Sequence, residues 1–229
     1  MIVSAYLRAF EQLSDRNMRS VLWKVLLMTT VVFAALWIVT GWALSGVEWF
    51  QTDWLDAAFD WVGGAAAIVV AVLVTWVLFP AVSTMFMGLF QDDIVVAVEA
   101  RHYPEIAPGT EVSMLVVIGS TAKLLAVTVL LNLLALPLYL LLPGLNLAIF
   151  YALNGYLLGR EYFEAVVLRR FDQRAADRLR KRYQGRVWLT GAGIAFLFSI
   201  PILNLLSPLI GTAAMVHIFE RTRLTLGDV

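Results

Sequence analysis

Four long stretches of the chain contain hardly any charged side chain, and they differ in how they are interrupted. Residues 25–47 and 61–91 are continuous, with 23 and 31 residues and no charge. Residues 124–159 and 187–219 are each broken near the middle by proline, asparagine and glycine. A straight span needs about 20 apolar residues, so the continuous stretches predict two transmembrane helices. The broken stretches predict re-entrant hairpins, because a central turn leaves only about 15 residues on each side.

The hairpin breaks define a first set of candidate functional residues. Length favours two returning hairpins over two pairs of joined full spans, although the sequence alone does not distinguish them. Broken helices at membrane depth are tolerated where protein or a watery cavity covers the freed backbone groups. We therefore expect the tips to line a pathway or to bond neighbouring helices. The tip residues are Pro137, Pro143 and Asn146 in the first hairpin, and Pro201, Asn204 and Pro208 in the second.

Amphipathic segments flank the apolar ones. Val3, Tyr6, Leu7 and Phe10 recur at helical spacing, which is typical of a helix lying in the membrane interface. The apolar pattern of the second span continues past the membrane, so we predict one helix there. The predicted order is an interfacial helix and loop (1–20), a first span (21–47), an acidic outer loop (48–60), a second span extending into the cytoplasm (61–103), a first hairpin (112–159), a basic cytoplasmic helix (160–186) and a second hairpin (187–220).

Charge placement predicts the orientation in the membrane. The loop 48–60 carries four acidic residues and no Lys or Arg, whereas 160–186 carries nine basic and four acidic residues. Because positively charged loops stay in the cytoplasm, both termini are expected on that side.

Composition agrees with a membrane protein and argues against several other classes. Hydrophobic residues make up 61% and charged residues 15% of the chain, against about 45–50% and about 25% in soluble domains. Zero net charge argues against nucleic-acid binding, and the absence of cysteine excludes disulfides and thiolate metal sites. His102 and His217 have no further ligand at metal-binding spacing, and no catalytic constellation or nucleotide motif is present. We therefore expect that the protein is not an enzyme and that it holds no metal ion or cofactor.

Several motifs together suggest a family. They are the loop 13–19 before the first span, the segments 79–80, 88–90, 92–93 and 98–101, and the sequence Ser-Ile-Pro-Ile-Leu-Asn-Leu at 199–205 followed by Pro208, Gly211 and 213–215. In these motifs and in the order of its elements, the chain resembles the CysZ-type sulfate permeases of the etoposide-induced-protein domain family. The resemblance implies an all-α integral protein of the bacterial inner membrane with two long spans and two partly penetrating hairpins. It also implies a homo-oligomer that admits sulfate for cysteine synthesis.

The resemblance also implies a site for sulfate or a related oxyanion. In the family a Pro-Gly-X-Arg-Arg pattern opens the first long helix, and here Arg16, Asn17, Met18, Arg19 and Ser20 take its place. Arg19 is the residue expected to hold the anion, since a guanidinium donates paired hydrogen bonds and a helix N-terminus favours negative charge. Asn17 is expected to keep the left-handed turn of the family's glycine. The alternative is that Ser14 or Asp15 caps the helix while the basic residues form an ordinary positive-inside anchor.

A second function remains open on the residues alone. The basic segment 160–186 fits a membrane scaffold or regulator that transports nothing and recruits a partner protein or anionic lipid through its cytoplasmic face.

Overall fold

The computed structural model describes residues 1–44, 53–107, 109–110 and 112–224. This part of the chain is all-helical and contains no strand. The chain divides into two compact units, one of residues 1–19 with 90–229 and one of residues 20–89. The helices are α1 (Ile2–Gln12), α2 (Arg16–Leu44), α3 (Asp53–Leu89), α4 (Gln91–His102), α5 (Met114–Leu141), α6 (Asn146–Val167), α7 (Gln173–Arg182), α8 (Gln184–Phe198) and α9 (Pro201–Leu224), with a 3₁₀ turn at Pro143–Leu145.

The unit of residues 20–89 is a pair of long apolar helices. In it α2 contacts α3 through stacked Phe33 and Phe79 rings, whose centroids lie 5.8 Å apart. The Ser83 hydroxyl donates to the Thr29 hydroxyl at 3.1 Å, which satisfies two polar groups on apolar helices. In the most apolar window of α3 none of the residues is buried, as expected for a helix surrounded by lipid. Of the predicted outer loop 48–60, residues 53–60 are helical and belong to α3, whereas 48–52 lie outside the described residues.

Four helices are long and apolar enough to span a membrane within the part of the chain that the structure describes. The candidate spans are Arg16–Trp42, Gly63–Leu89, Ile118–Leu141 and Leu203–Arg223. The premise of about 15 residues on each side of the break does not hold for the first hairpin, because α5 begins at Met114 and has 28 residues. Helix α8 has only 15 residues, which is too short to cross. Of the α9 window 78% is buried by protein, against 6% for α5, so α9 is an internal helix and α5 an external one.

Close packing of α6 against α8 forms the centre of the larger unit. A Cβ atom on Gly159 would lie 2.5 Å from the carbonyl oxygen of Val187, and one on Gly191 would overlap the backbones of Gly155 and Gly159. Small residues that allow such backbone approach are typical of helix contacts in membranes. Helix α1 closes this core, since the Tyr6 hydroxyl donates to the Thr190 carbonyl at 2.5 Å.

Two predicted helices are each divided in the structure. The second span does not continue to residue 103, because the backbone turns at Phe90 and a separate helix, α4, begins at Gln91. Asp92 and Asp93 lie in the first turn of α4. Acidic residues there complement the helix dipole. Likewise 160–186 is not one basic helix: α6 ends at Val167, and Asp172 caps α7 by accepting the Ala175 N–H at 2.7 Å.

Candidate anion site and buried ion pairs

The predicted anion-binding residues form the first turn of α2. Arg16, Asn17, Arg19 and Ser20 are exposed there, whereas Met18 is 1% exposed and packs inward. Ser20 begins the second unit, while the other four residues belong to the first. Arg16 and Arg19 therefore offer two accessible guanidinium groups at the N-terminus of a candidate span, and Met18 can offer an anion only its backbone.

The expected left-handed turn at Asn17 is wrong, since this residue is helical. The cause is Asp15, whose carboxylate accepts the Asn17 N–H at 3.4 Å and so caps α2. The Arg19 N–H is also used, because it donates to the Asp15 carbonyl at 2.9 Å. Asp15 further pairs with Arg101 at 3.4 Å. The helix cap by Asp15, which was the alternative interpretation of this segment, is thus present.

The tip of the first hairpin is a capped helix end. Pro143 opens the 3₁₀ turn and Pro137 lies inside α5, one turn before the helix ends. Since Pro143 has no N–H, the Tyr139 carbonyl loses its helical donor. With the amide nitrogen of Asn146 facing the helix end, it donates to the Tyr139 and Leu142 carbonyls at 3.1 and 3.2 Å. Of the two interpretations of Asn146, this geometry favours a structural one.

The tip of the second hairpin differs from the first. The chain turns at Ser199 and Ile200, and Pro201 begins α9, a position that suits proline because its missing N–H is not needed there. The Asn204 N–H donates to the Ile200 carbonyl at 2.7 Å. Pro208 lies inside α9 and cannot donate to the Asn204 carbonyl four residues earlier. The Asn204 carbonyl therefore lacks its usual helical donor.

A buried network of four charged side chains joins α4, α9 and the turn after α6. Arg170 donates to Glu99 at 2.8 Å and lies 3.4 Å from Glu220, which also accepts from Arg223 at 3.0 Å. The side chain of Glu220 is fully buried, and those of Arg170 and Glu99 are 10% and 8% exposed. Paired charges of this kind keep the interior neutral.

A second network links α6 and α7 to the external helix α5. Arg160 donates to Glu164 at 2.8 Å, and Arg180 lies 3.8 Å from Glu164. Arg180 also donates to Asp177 at 3.1 Å, and Lys123 donates to Asp177 at 3.3 Å. Partial burial of Asp177 opposes its ionisation, but the hydrogen bonds and charges of Arg180 and Lys123 prevail and lower the pKa of this carboxyl.

Sequence reasoning missed both networks because it only counted the charges of the basic segment. Arg160 and Arg169 are buried, and Arg169 pairs with Asp92 at 2.6 Å. One signal was available: Glu220 follows directly on an apolar stretch, and Glu164 lies among apolar residues in the basic segment. Carboxylates so placed require cationic partners.

Two histidines lie close together beside these networks. The rings of His102 and His217 are 4.8 Å apart, and the Tyr103 hydroxyl shares a hydrogen bond with His217 Nδ1 at 3.0 Å. Burial, together with the positive charges of Arg101 and Arg8, lowers the pKa of His102. Within the described ranges no three potential ligands cluster to hold a metal ion.

Comparison with models of known protein families identifies the family of this chain. A family model described as Sulfate transporter CysZ/Etoposide-induced protein 2.4 matches residues 5–208 of the 229. The chain belongs to this family. The CysZ match includes the first turn of α2, both hairpin tips and the α6–α8 contact. The resemblance indicated by the motifs is confirmed, and the chain is a multi-pass membrane protein of a transporter family. No curated protein and no solved structure matches it.

Proposed function

We propose that this protein is a sulfate permease of the bacterial inner membrane that supplies sulfate for assimilation into cysteine. The observation that carries the proposal is the exposed Arg19 guanidinium in the first turn of a candidate span, at the position aligned with the family's arginine motif. Arg16 stands one turn away on the same exposed segment. Two guanidinium groups at a helix N-terminus form a suitable first contact for a doubly charged oxyanion.

The route beyond this contact is part of the proposal. The second hairpin supplies polar backbone at Asn204 and Pro208, while the tip residues Pro137, Pro143 and Asn146 shape the first hairpin. The buried ion pairs of α6 to α9 keep the interior close to neutral, so they hold the helices without trapping a permeating anion.

A flux measurement tests the function. Proteoliposomes carrying the purified protein should accumulate radiolabelled sulfate faster than protein-free vesicles, and equal rates would refute the proposal.

Arg19→Ala should weaken sulfate binding about tenfold or more, because a hydrogen bond to a charged group contributes roughly 1.5–3 kcal/mol. Arg174→Ala is the matched control, since Arg174 is an exposed arginine on α7.

The scaffold alternative has less support from the geometry. Arg160, Arg169, Arg170 and Arg180 all pair with carboxylates, which leaves fewer charges in the basic segment for a partner. Flux that persists after the exposed arginines of α7 are neutralised would argue further against a scaffold role.

Orientation and assembly belong to the same proposal. Both termini are placed in the cytoplasm, and several copies assemble as a homo-oligomer in the lipid bilayer. Because the chain has no cysteine, single substitutions such as Ser14→Cys and Asp56→Cys provide clean labelling sites. An impermeant thiol reagent outside the cell should label the second and not the first. The opposite pattern would reverse the assigned orientation.

A further inference from the structure

A cavity of about 250 Å³ lies between α7 and the ends of α6 and α9, outside the predicted anion segment. Its apolar side is formed by Phe163, Phe171 and Phe219, whose rings meet edge to face at centroid distances of 6.3 and 6.2 Å. Leu179 of α7 continues this apolar surface. The volume is below the roughly 300 to 1,000 Å³ of pockets that enclose a drug-sized ligand. The cavity therefore suits part of a chain molecule rather than a whole one.

Three arginines surround this apolar floor. Arg178 and Arg182 lie one turn apart on α7 and are exposed, and Arg223 comes from α9. Arg223 is partly neutralised by Glu220 at 3.0 Å, whereas none of the described residues lining the cavity is acidic. A cationic rim over an aromatic floor is complementary to a ligand with an anionic head and an apolar tail.

The cavity lies at the end of the apolar part of α9. Arg223 is the last residue of the candidate span Leu203–Arg223, whose 21 residues correspond to about 31 Å of helix. Arg223 therefore stands where the apolar window ends, and lipid headgroups lie at the ends of apolar segments. Helix α7, with an apolar face and a basic last turn, has the character of a helix lying along that surface.

We propose that this cavity binds one acidic phospholipid. The phosphate diester is held by Arg178, Arg182 and Arg223, and the first methylene groups of one chain lie against the aromatic floor. Neutral lipids bind less well because they lack net negative charge to balance the rim. This site is separate from Arg19, and the proposal holds whether or not the protein conducts sulfate.

Native mass spectrometry of the full-length protein tests the site. In mixtures of phosphatidylglycerol and phosphatidylcholine, the wild-type protein should retain one phosphatidylglycerol preferentially. Each basic residue near an acidic lipid surface contributes a factor of about five. The Arg178→Gln/Arg182→Gln variant should therefore weaken retention roughly 25-fold. Arg174→Gln, which removes an exposed arginine of the same helix away from the cavity lining, should leave retention unchanged.

A second variant separates the lipid from a free oxyanion. Ala175 lines the cavity, and Ala175→Leu should occupy chain volume while keeping all three arginines. It should reduce binding of short-chain phosphatidylglycerol and leave any binding of inorganic phosphate unchanged. Equal retention by the double variant and the wild type would overturn the proposal, as would an equal loss in Arg174→Gln. Thermal stabilisation by inorganic phosphate as large as that by the lipid would replace the lipid with a simple oxyanion.

Discussion

Replacing Arg170 by methionine should destabilise the larger unit more than any change to an exposed arginine. Arg170 follows α6 and donates to the Glu99 carboxylate at 2.8 Å and to the Ala107 carbonyl at 2.6 Å. It also lies 3.4 Å from Glu220. One side chain therefore links α4, α9 and the segment before α5.

The magnitude follows from what the substitution leaves behind. Methionine fills much of the space of the arginine stem, so loss of charge is the main effect. Glu220 keeps Arg223 as a partner at 3.0 Å, but Glu99, with its side chain 8% exposed, loses its short ion pair. Removing one partner of a buried pair costs about 3–5 kcal/mol in the free energy of unfolding. For a chain of this length that corresponds to a fall of roughly 6–20 °C in Tm.

Thermal unfolding in detergent, followed by circular dichroism, measures the effect. Arg174→Met on the exposed face of α7 is the control and should change stability by less than about 0.5 kcal/mol. The Arg170→Met/Glu99→Gln variant should recover a substantial part of the loss, because the uncompensated carboxylate is gone. If Arg170→Met unfolds at the temperature of the control, the network contributes nothing and the reasoning fails.

Two further predictions concern packing and pH. Gly191→Ala should destabilise the protein by about 1–3 kcal/mol, because the new methyl group meets the α6 backbone at Gly155 and Gly159. Gly119→Ala is the control in the same unfolding assay: its methyl group meets open space, so this variant should be as stable as the wild type or slightly more stable. The lowered pKa of His102 means that the folded state favours the neutral imidazole. Its contribution to the free energy of unfolding is therefore complete above the ordinary pKa of 6.5 and is lost as the pH falls towards the folded-state pKa. Between pH 7.5 and 5 the Tm should fall less steeply in His102→Gln than in the wild type, and parallel curves would contradict this.

The sequence predicted the class of fold from properties that depend on single segments. Uncharged runs identified α2 and α3, and the breaks before Asn146 and Pro201 correctly placed the turns between α5 and α6 and between α8 and α9. Segment lengths were less reliable, because α5 extends back to Met114 through residues that include Lys123. A single charge within an apolar segment does not end a helix, so counting only uncharged residues underestimated the length of α5.

The site was harder to predict because it depends on contacts between distant segments. The exposed position of Arg19 agrees with the motif, but the helical state of Asn17 depends on a local competitor, the Asp15 cap. Asn146 could not be assigned from its position alone, since its role follows from the carbonyl groups that it reaches.

The arginines of the basic segment fall into two groups that charge counting cannot separate. Arg160, Arg169 and Arg170 are paired with carboxylates inside the protein, whereas Arg178 and Arg182 remain exposed beside an aromatic cavity. The first group is neutralised within the fold and stabilises helix contacts, so the field outside the protein comes from exposed residues such as the second group. The positive-inside signal of residues 160–186 therefore overstates the charge available at the membrane surface. Exposed guanidinium groups, at Arg19 on α2 and along α7, carry charge that remains accessible from outside the protein.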